Sequence, residues 1–301
     1  MERFEPEEGA AAGVARIIAR TMERAERQLR EAKNPMTRVH DARKRIKEIR
    51  AALRLVRDGL GERFARENEW FRAESRSLTA AREADANVAM LEKLAEDAGS
   101  DAERAAVARA KERLAAERAR VVAGGLEVQL ERLANDLAAR PRLAWWEIGD
   151  RHFDTIADGL ETAARRARRA FRRAKDGGSD VDFHTWRKRA KDLWNQIRFL
   201  QPIKGRMKKR AAKLKELSRL LGDHHDLSVL RVAAGDEPVL QAFISRRLAA
   251  LERRSLALGD DIHAEKPKRL RARAAKKWDA WRADAPRSGV NERSRIETAN
   301  S

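Results

Sequence analysis

Apolar residues recur along most of this chain at intervals of three and four. Ile46, Ile49, Leu53 and Val56 repeat in this way, and so do Trp186, Ala190, Leu193, Ile197 and Leu200. That spacing marks one face of an α-helix, which turns about 100° per residue. No stretch argues for strands, and the seven prolines fall near the edges of the periodic segments, where helices tolerate them. The pattern predicts an all-α protein with helices at 12–33, 36–58, 62–80, 84–97, 101–139, 147–175, 182–201, 205–221, 225–234, 238–259 and 266–284. The last segment, "APRSGVNERSRIETANS", is polar and aperiodic and is expected to be disordered.

The helical pattern repeats itself. "VHDARKRIKEIR" (39–50) returns as "FHTWRKRAKDLW" (183–194), with His40 and His184 separated by 144 positions. Upstream, "RAERQLREAK" (24–33) aligns with "RARRAFRRAK" (166–175) at an offset of 142, pairing Arg24 with Arg166 and Arg27 with Arg169. Downstream, "RENEWFRAESRSLTAARE" (66–83) aligns with "KRAAKLKELSRLLGDHHD" (209–226) at an offset of 143, which sets Arg82-Glu83 against His225-Asp226. Three blocks in the same order predict two homologous halves, about 12–140 and 147–284, with flexible tails at 1–11 and 285–301.

Charge adds a partner to this picture. The 301 residues hold 67 Lys and Arg against 48 Asp and Glu, a formal charge of +19, so a polyanionic partner is expected. Starting from His40, the helical offsets +3, +4, +7 and +14 carry Arg43, Lys44, Lys47 and Arg54; from His184 they carry Arg187, Lys188, Lys191 and Arg198. An ordinary solvated stripe mixes signs to gain about 0.2–0.5 kcal/mol per pair. These stripes contain no acid, while Glu48 and Asp192 lie at their flanks. A solvated face and a ligand-binding face remain the two readings, and the repetition favours the second. "RRARRAFRR" (165–173) and "RMKKRAAKLK" (206–215) enlarge the cationic surface to a size that attracts a long anion through counterion release.

Several chemistries are disfavoured. Without cysteine there is neither a disulfide framework nor a thiolate metal site. The acidic start "MERFEPEEG" lacks the features of a signal peptide, and no run approaches the ~20 apolar residues of a spanning helix, so a soluble cytoplasmic protein with no membrane partner is expected. Phosphate-loop, nucleophile-elbow and zinc-helix motifs are missing. The cations around His40 and His184 would repel a metal. "DHHD" (223–226) looks more like a ligand set, but Asp223 after Gly222 reads better as the cap of a following helix, with His225-Asp226 in an inter-helix polar contact. The seven Trp residues read mostly as core or interface anchors, with Trp145-Trp146 at the junction of the halves.

"HDARKRIK", "HTWRKRAK", Arg82-Glu83 and "LLGDHHDLSVL" (220–230) together resemble the CHAD family, the conserved-histidine α-helical domain, over roughly residues 12–284. The resemblance implies two four-helix-bundle-like halves about a pseudo-two-fold axis, with basic faces converging on a central groove. It implies inorganic polyphosphate as ligand, association with polyphosphate granules, and contact there with other proteins of polyphosphate metabolism. Carried over by position, the contacts are His40, Arg43, Lys44, Lys47 and Arg54, then His184, Arg187, Lys188, Lys191 and Arg198, with Arg24, Arg27, Arg166 and Arg169 from the preceding helices. The family's usual Arg-Asp pair is Arg82-Glu83 here. Many relatives add a triphosphatase domain for which this chain has no room, so a non-catalytic binder without cofactor or metal is expected. Nucleic acid is the rival ligand, and a metal-dependent phosphohydrolase is the third reading.

Overall fold

The structure, a computed structural model, describes residues 2–149, 151–202 and 206–284. Helices α1 (Ala10–Glu31) and α2 (Pro35–Leu55) form the first hairpin, and the single turn α3 (Arg57–Leu60) leads into α4 (Glu62–Ser77) and α5 (Thr79–Asp97). Helices α6 (Asp101–Ala123) and α7 (Leu126–Ala139) complete the first repeat. A 3-10 turn at Trp145–Glu147 precedes α8 (Asp154–Gly177), α9 (Asp180–Phe199), α10 (Arg206–Ala233), α11 (Pro238–His263) and α12 (Pro267–Ala283). Among the described residues there is no strand.

The two motif helices begin on well-formed caps. The Asn34 side chain accepts from the Met36 and Thr37 amides ahead of α2, with Pro35 in the first turn, where its missing N–H goes unmissed. Ser179 accepts from the Asp182 amide at the start of α9, and Asp180 and Asp182 complement the helix dipole there.

Several boundaries differ from the sequence pattern for physical reasons. The expected 101–139 helix divides at Gly124-Gly125, where Gly125 takes φ 91°, a left-handed conformation natural only to glycine. The helix expected from 147 begins at Asp154. The segments expected at 205–221 and 225–234 are one helix, α10, so Asp223 caps nothing. A mid-helix glycine costs about 1 kcal/mol. Burial of Leu220, Leu221, Leu227 and Leu230 on either side of Gly222 outweighs it.

Residues 2–9, expected to be a flexible tail, are packed. Phe4 is buried edge-on against Trp278 with ring centroids 5.1 Å apart, and its amide donates to the Phe199 carbonyl at 3.1 Å. The opposite tail, 285–301, lies outside the described residues.

Two cores hold the molecule, and each draws on both repeats. The larger joins Ile17, Ile46, Ile49 and Leu133 of the first repeat to Ile156, Trp186, Leu193 and Trp278 of the second. The smaller packs Leu91 and Leu94 of α5 and Val107 and Leu114 of α6 against Leu227 and Leu230 of α10 and Phe243 and Ile244 of α11. The repeats are therefore not separate domains with cores of their own. Of the tryptophans, Trp186 and Trp278 are fully enclosed, whereas Trp146 is 69 % exposed and anchors no core.

Candidate polyanion site

The apolar faces of α2 and α9 turn the two basic stripes toward one another. The helices cross where the Asn195 amide donates to the Lys47 carbonyl at 3.5 Å and the Gln196 amide to the Ala51 carbonyl at 3.2 Å. Two ion pairs flank the crossing: Arg54 with Asp192 at 2.9 Å and Arg198 with Glu48 at 3.6 Å. The four residues are related by the repeat offset of 144, so each stripe's last arginine is held by the other's flanking acid. Arg54 and Arg198 therefore tie the repeats together, and they are less available to a ligand than the remaining cations.

Those remaining cations are crowded and short of acids. Lys44, Lys47, Arg187, Lys188 and Lys191 form no ion pair among the described residues. Burial pushes the half-buried Lys47 ammonium well below its usual range, and Arg187, Arg43, Lys191 and Arg82 add to the shift. Lys191 falls to about 8, from burial first and then from Arg198 and Arg187. Burial likewise lowers Arg187 and Lys188. Arg43 drops to about 10 and stays cationic at neutral pH; its guanidinium donates to the Ser75 carbonyl and, at 3.1 Å, to the Thr79 hydroxyl. Self-repulsion of this kind is unfavourable in the empty protein and is relieved by an anion.

The motif histidines occupy different surroundings. His184 Nδ1 lies 3.0 Å from His225 Nδ1 of α10. Burial together with Lys188 and Arg187 takes His184 down to about 4, and burial with Arg187 and His184 itself takes His225 to about 3. Both rings are neutral at pH 7, so one donates and the other accepts. His40 is more exposed, and burial, Arg82, Lys44 and Lys47 lower its pKa. Arg82 is the counterpart of His225 in the repeat alignment, and it reaches Asp226 at 3.0 Å rather than the adjacent Glu83.

Other sequence candidates fall apart from this cluster. Arg24 is bonded to Glu2 at 2.6 Å, Arg27 and Arg169 lie on the exposed surface, and Arg166 lines a separate cavity with Arg54 and Arg189. Three contributors lie outside the contact set carried over by position, although the sequence already singles out Arg82 with Glu83. Arg82 adds its charge from α5. Arg50, lowered to about 10 by burial and Arg54, occupies the +10 position from His40 on the same stripe, a signal the sequence did contain. Trp194 supports Lys191 at 3.8 Å and Arg198 at 4.4 Å from its ring, cation–π contacts that hold both charges in place.

A family model described as the CHAD domain matches residues 14–235, nearly three quarters of the chain. The chain belongs to the CHAD family. A search of curated proteins found none that matches it. Within this CHAD domain the sequence Asp223-His224-His225-Asp226 is no joint ligand set, because its side chains diverge. Asp223 meets Lys93 at 2.7 Å, His224 Nε2 meets Glu252 at 3.1 Å, His225 faces His184 and Asp226 holds Arg82. His225 and Asp226 do make the expected inter-helix contact. Among the described residues a metal-compatible grouping is Asp180, His224 and Glu252, away from His40 and His184, and Arg231 already holds Asp180. Among the described residues no helix is long and apolar enough to cross a membrane.

Proposed function

We propose that this protein binds inorganic polyphosphate without acting on it, in a basic central groove between the two repeats, and associates with polyphosphate granules in the cytoplasm. The observation that carries the reading is the set Lys47, Arg187 and Lys191: desolvated cations from both stripes, brought together without an ion-paired acid. Membership of a family linked to polyphosphate supports it. A polyphosphate chain carries a negative charge on each phosphate and no bases. Its recognition therefore needs dense donors, with guanidinium forks gripping paired oxygens and ammonium groups following the chain.

The halves are related, in this proposal, by a pseudo-two-fold axis through the α2–α9 crossing. Helix α1 packs on α2 and α7 as α8 packs on α9 and α12; α5 packs on α6 as α10 packs on α11; and the equivalent pairs α2/α9, α5/α10 and α6/α11 meet each other. Such symmetry suits a linear ligand without strong direction.

Nucleic acid would need aromatic faces for its bases. On the motif helices Trp186 is fully buried and Trp194 already lies beneath Lys191 and Arg198, which favours phosphate recognition. The experiment is a titration with long-chain polyphosphate across a salt series, for wild type and Lys44→Glu/Lys188→Glu. Tight binding that weakens steeply with salt and is lost in the double variant is the expected result. Binding that ignores salt, unchanged binding in the variant, or displacement by single-stranded nucleic acid at equal phosphate would each refute the reading. Release of phosphate by the pure protein with a divalent metal would refute its non-catalytic part.

A further inference from the structure

One cavity, of about 220 Å³, lies beside the central groove between the end of α2, α8 and α9. Its lining includes Arg54, Arg57, Arg165, Arg166, Arg189 and Asp192. Three acids also line it: Asp192 is held by Arg54 at 2.9 Å and Asp158 by Arg271, while Asp58 is exposed and forms no ion pair among the described residues. Arg166 forms no ion pair among the described residues, and burial with Arg189, Arg57 and Arg54 lowers its pKa. Gln196 also lines the cavity. Its amide nitrogen is committed to Ala51, while its Oε1 is buried without a hydrogen-bond partner. Gly159 seals one wall: a Cβ there would lie 2.3 Å from the Leu55 carbonyl, so only glycine lets α8 approach α2 this closely.

The other repeat provides an internal comparison. By the repeat register Arg166 corresponds to Arg24, Arg189 to Arg45, Asp192 to Glu48 and Arg54 to Arg198. At that counterpart position the acidic N-terminal segment is docked. Glu2 binds Arg24 at 2.6 Å; nearby, Glu5 binds Arg16 at 3.1 Å and both carboxylate oxygens of Glu8 accept from Arg16, whose counterpart in the register is Asp158. Phe4 pins the segment in place. One repeat thus carries a carboxylate on Arg24 where the other leaves Arg166 lining an open cavity.

We propose that the open cavity is an anion site for the terminal phosphoryl group of a phosphoanhydride, either the end of a polyphosphate chain or free pyrophosphate. It rests on the pseudo-two-fold reading above. The cavity is below the ~300 Å³ at which sites for drug-sized ligands begin, which selects a compact anion. Charge selects a terminal phosphate over an internal one. With its second ionisation near pH 6, a terminal phosphate is largely dianionic at neutral pH and offers three unbridged oxygens to Arg165, Arg166 and Arg189. An internal phosphate carries one charge and two such oxygens.

The test is calorimetric titration at low salt with sodium pyrophosphate, on wild type, on Arg165→Ala/Arg166→Ala and on Lys44→Glu/Lys188→Glu. The first two positions are exposed, and folding of each variant is checked by circular dichroism. Expected is one pyrophosphate per wild-type chain, a loss of roughly tenfold or more in affinity in the arginine pair, and retention in the lysine pair. No wild-type binding, equal binding in the arginine pair, or loss in the lysine pair alone would overturn the proposal. The last result would leave the polyphosphate groove standing. Long-chain polyphosphate then identifies the source: weaker binding in the arginine pair assigns the cavity to the chain end, and unchanged binding assigns it to free pyrophosphate.

Discussion

Replacing Lys191 by Met is expected to make the empty protein more stable while weakening its hold on polyphosphate. Lys191 loses its proton near pH 8 instead of 10.5. At 1.36 kcal/mol per pH unit, keeping it charged in the fold costs about 3 kcal/mol. Methionine retains the stem that packs on Trp194 and forfeits the cation–π contact, worth about 1 kcal/mol, so a net gain of about 2 kcal/mol remains. For a chain of this size that corresponds to a rise of about 3 °C in Tm. The pH dependence follows from the depressed pKa. Below pH 8 the ammonium is charged in both states and its full cost is present; between 8 and 10.5 the folded state has shed the proton and the cost fades; above 10.5 it is gone. The advantage of the variant should therefore be largest at pH 7 and vanish near pH 10.5. Urea denaturation at low ionic strength, repeated at pH 7, 9 and 10.5, measures it. Saturating polyphosphate should reverse the order, since a ligand at a hundred times its Kd adds about 2.7 kcal/mol to the form that binds it. A variant no more stable than wild type at pH 7, or a gap that persists at pH 10.5, would refute the electrostatic account.

Other outcomes follow from the same geometry. Acid should destabilise the unliganded protein: His184 and His225 titrate near 4 and 3 in the fold and near 6.5 unfolded, so the unfolded chain takes up protons first and stability falls as pH drops below 6.5. His225→Asn should flatten that limb in acid melts, and a variant with an unchanged limb would contradict it. Phe4→Ala should cost about 3 kcal/mol and free residues 2–8 for hydrogen exchange; an unaltered midpoint would mean that the segment is not docked in solution. Asp192→Asn leaves Arg54 without its cross-repeat carboxylate and should lower stability by about 1–2 kcal/mol, read by denaturation, while polyphosphate binding at low salt becomes tighter.

Much of this molecule was legible in its sequence because helical periodicity is local. The 3.6-residue recurrence of Ile46, Ile49 and Leu53 fixes a helix and its buried face whatever packs against it, and the acid-free stripe from Arg43 to Lys47 follows on the opposite side. The repeated motif likewise announced two equivalent helices. Even the break at Gly124-Gly125 was written there, although a glycine pair does not say by itself whether a helix will stop.

What the sequence could not decide is which charges meet. Glu48 and Asp192 were visible beside the stripes, yet only the antiparallel crossing of α2 and α9 sets each on the other repeat's arginine, removing Arg54 and Arg198 from the free cations. Arg24 and Arg166 align in sequence, but the docking of Phe4 satisfies one with Glu2 and leaves the other lining an open cavity. Gly222 ends no helix because leucines on both sides of it are buried in the assembled fold. Local pattern determines helices, faces and the sum of charge. Burial, and the pairing of one charge with another across 138 residues of chain, depends on distances through space that only the packed tertiary structure fixes.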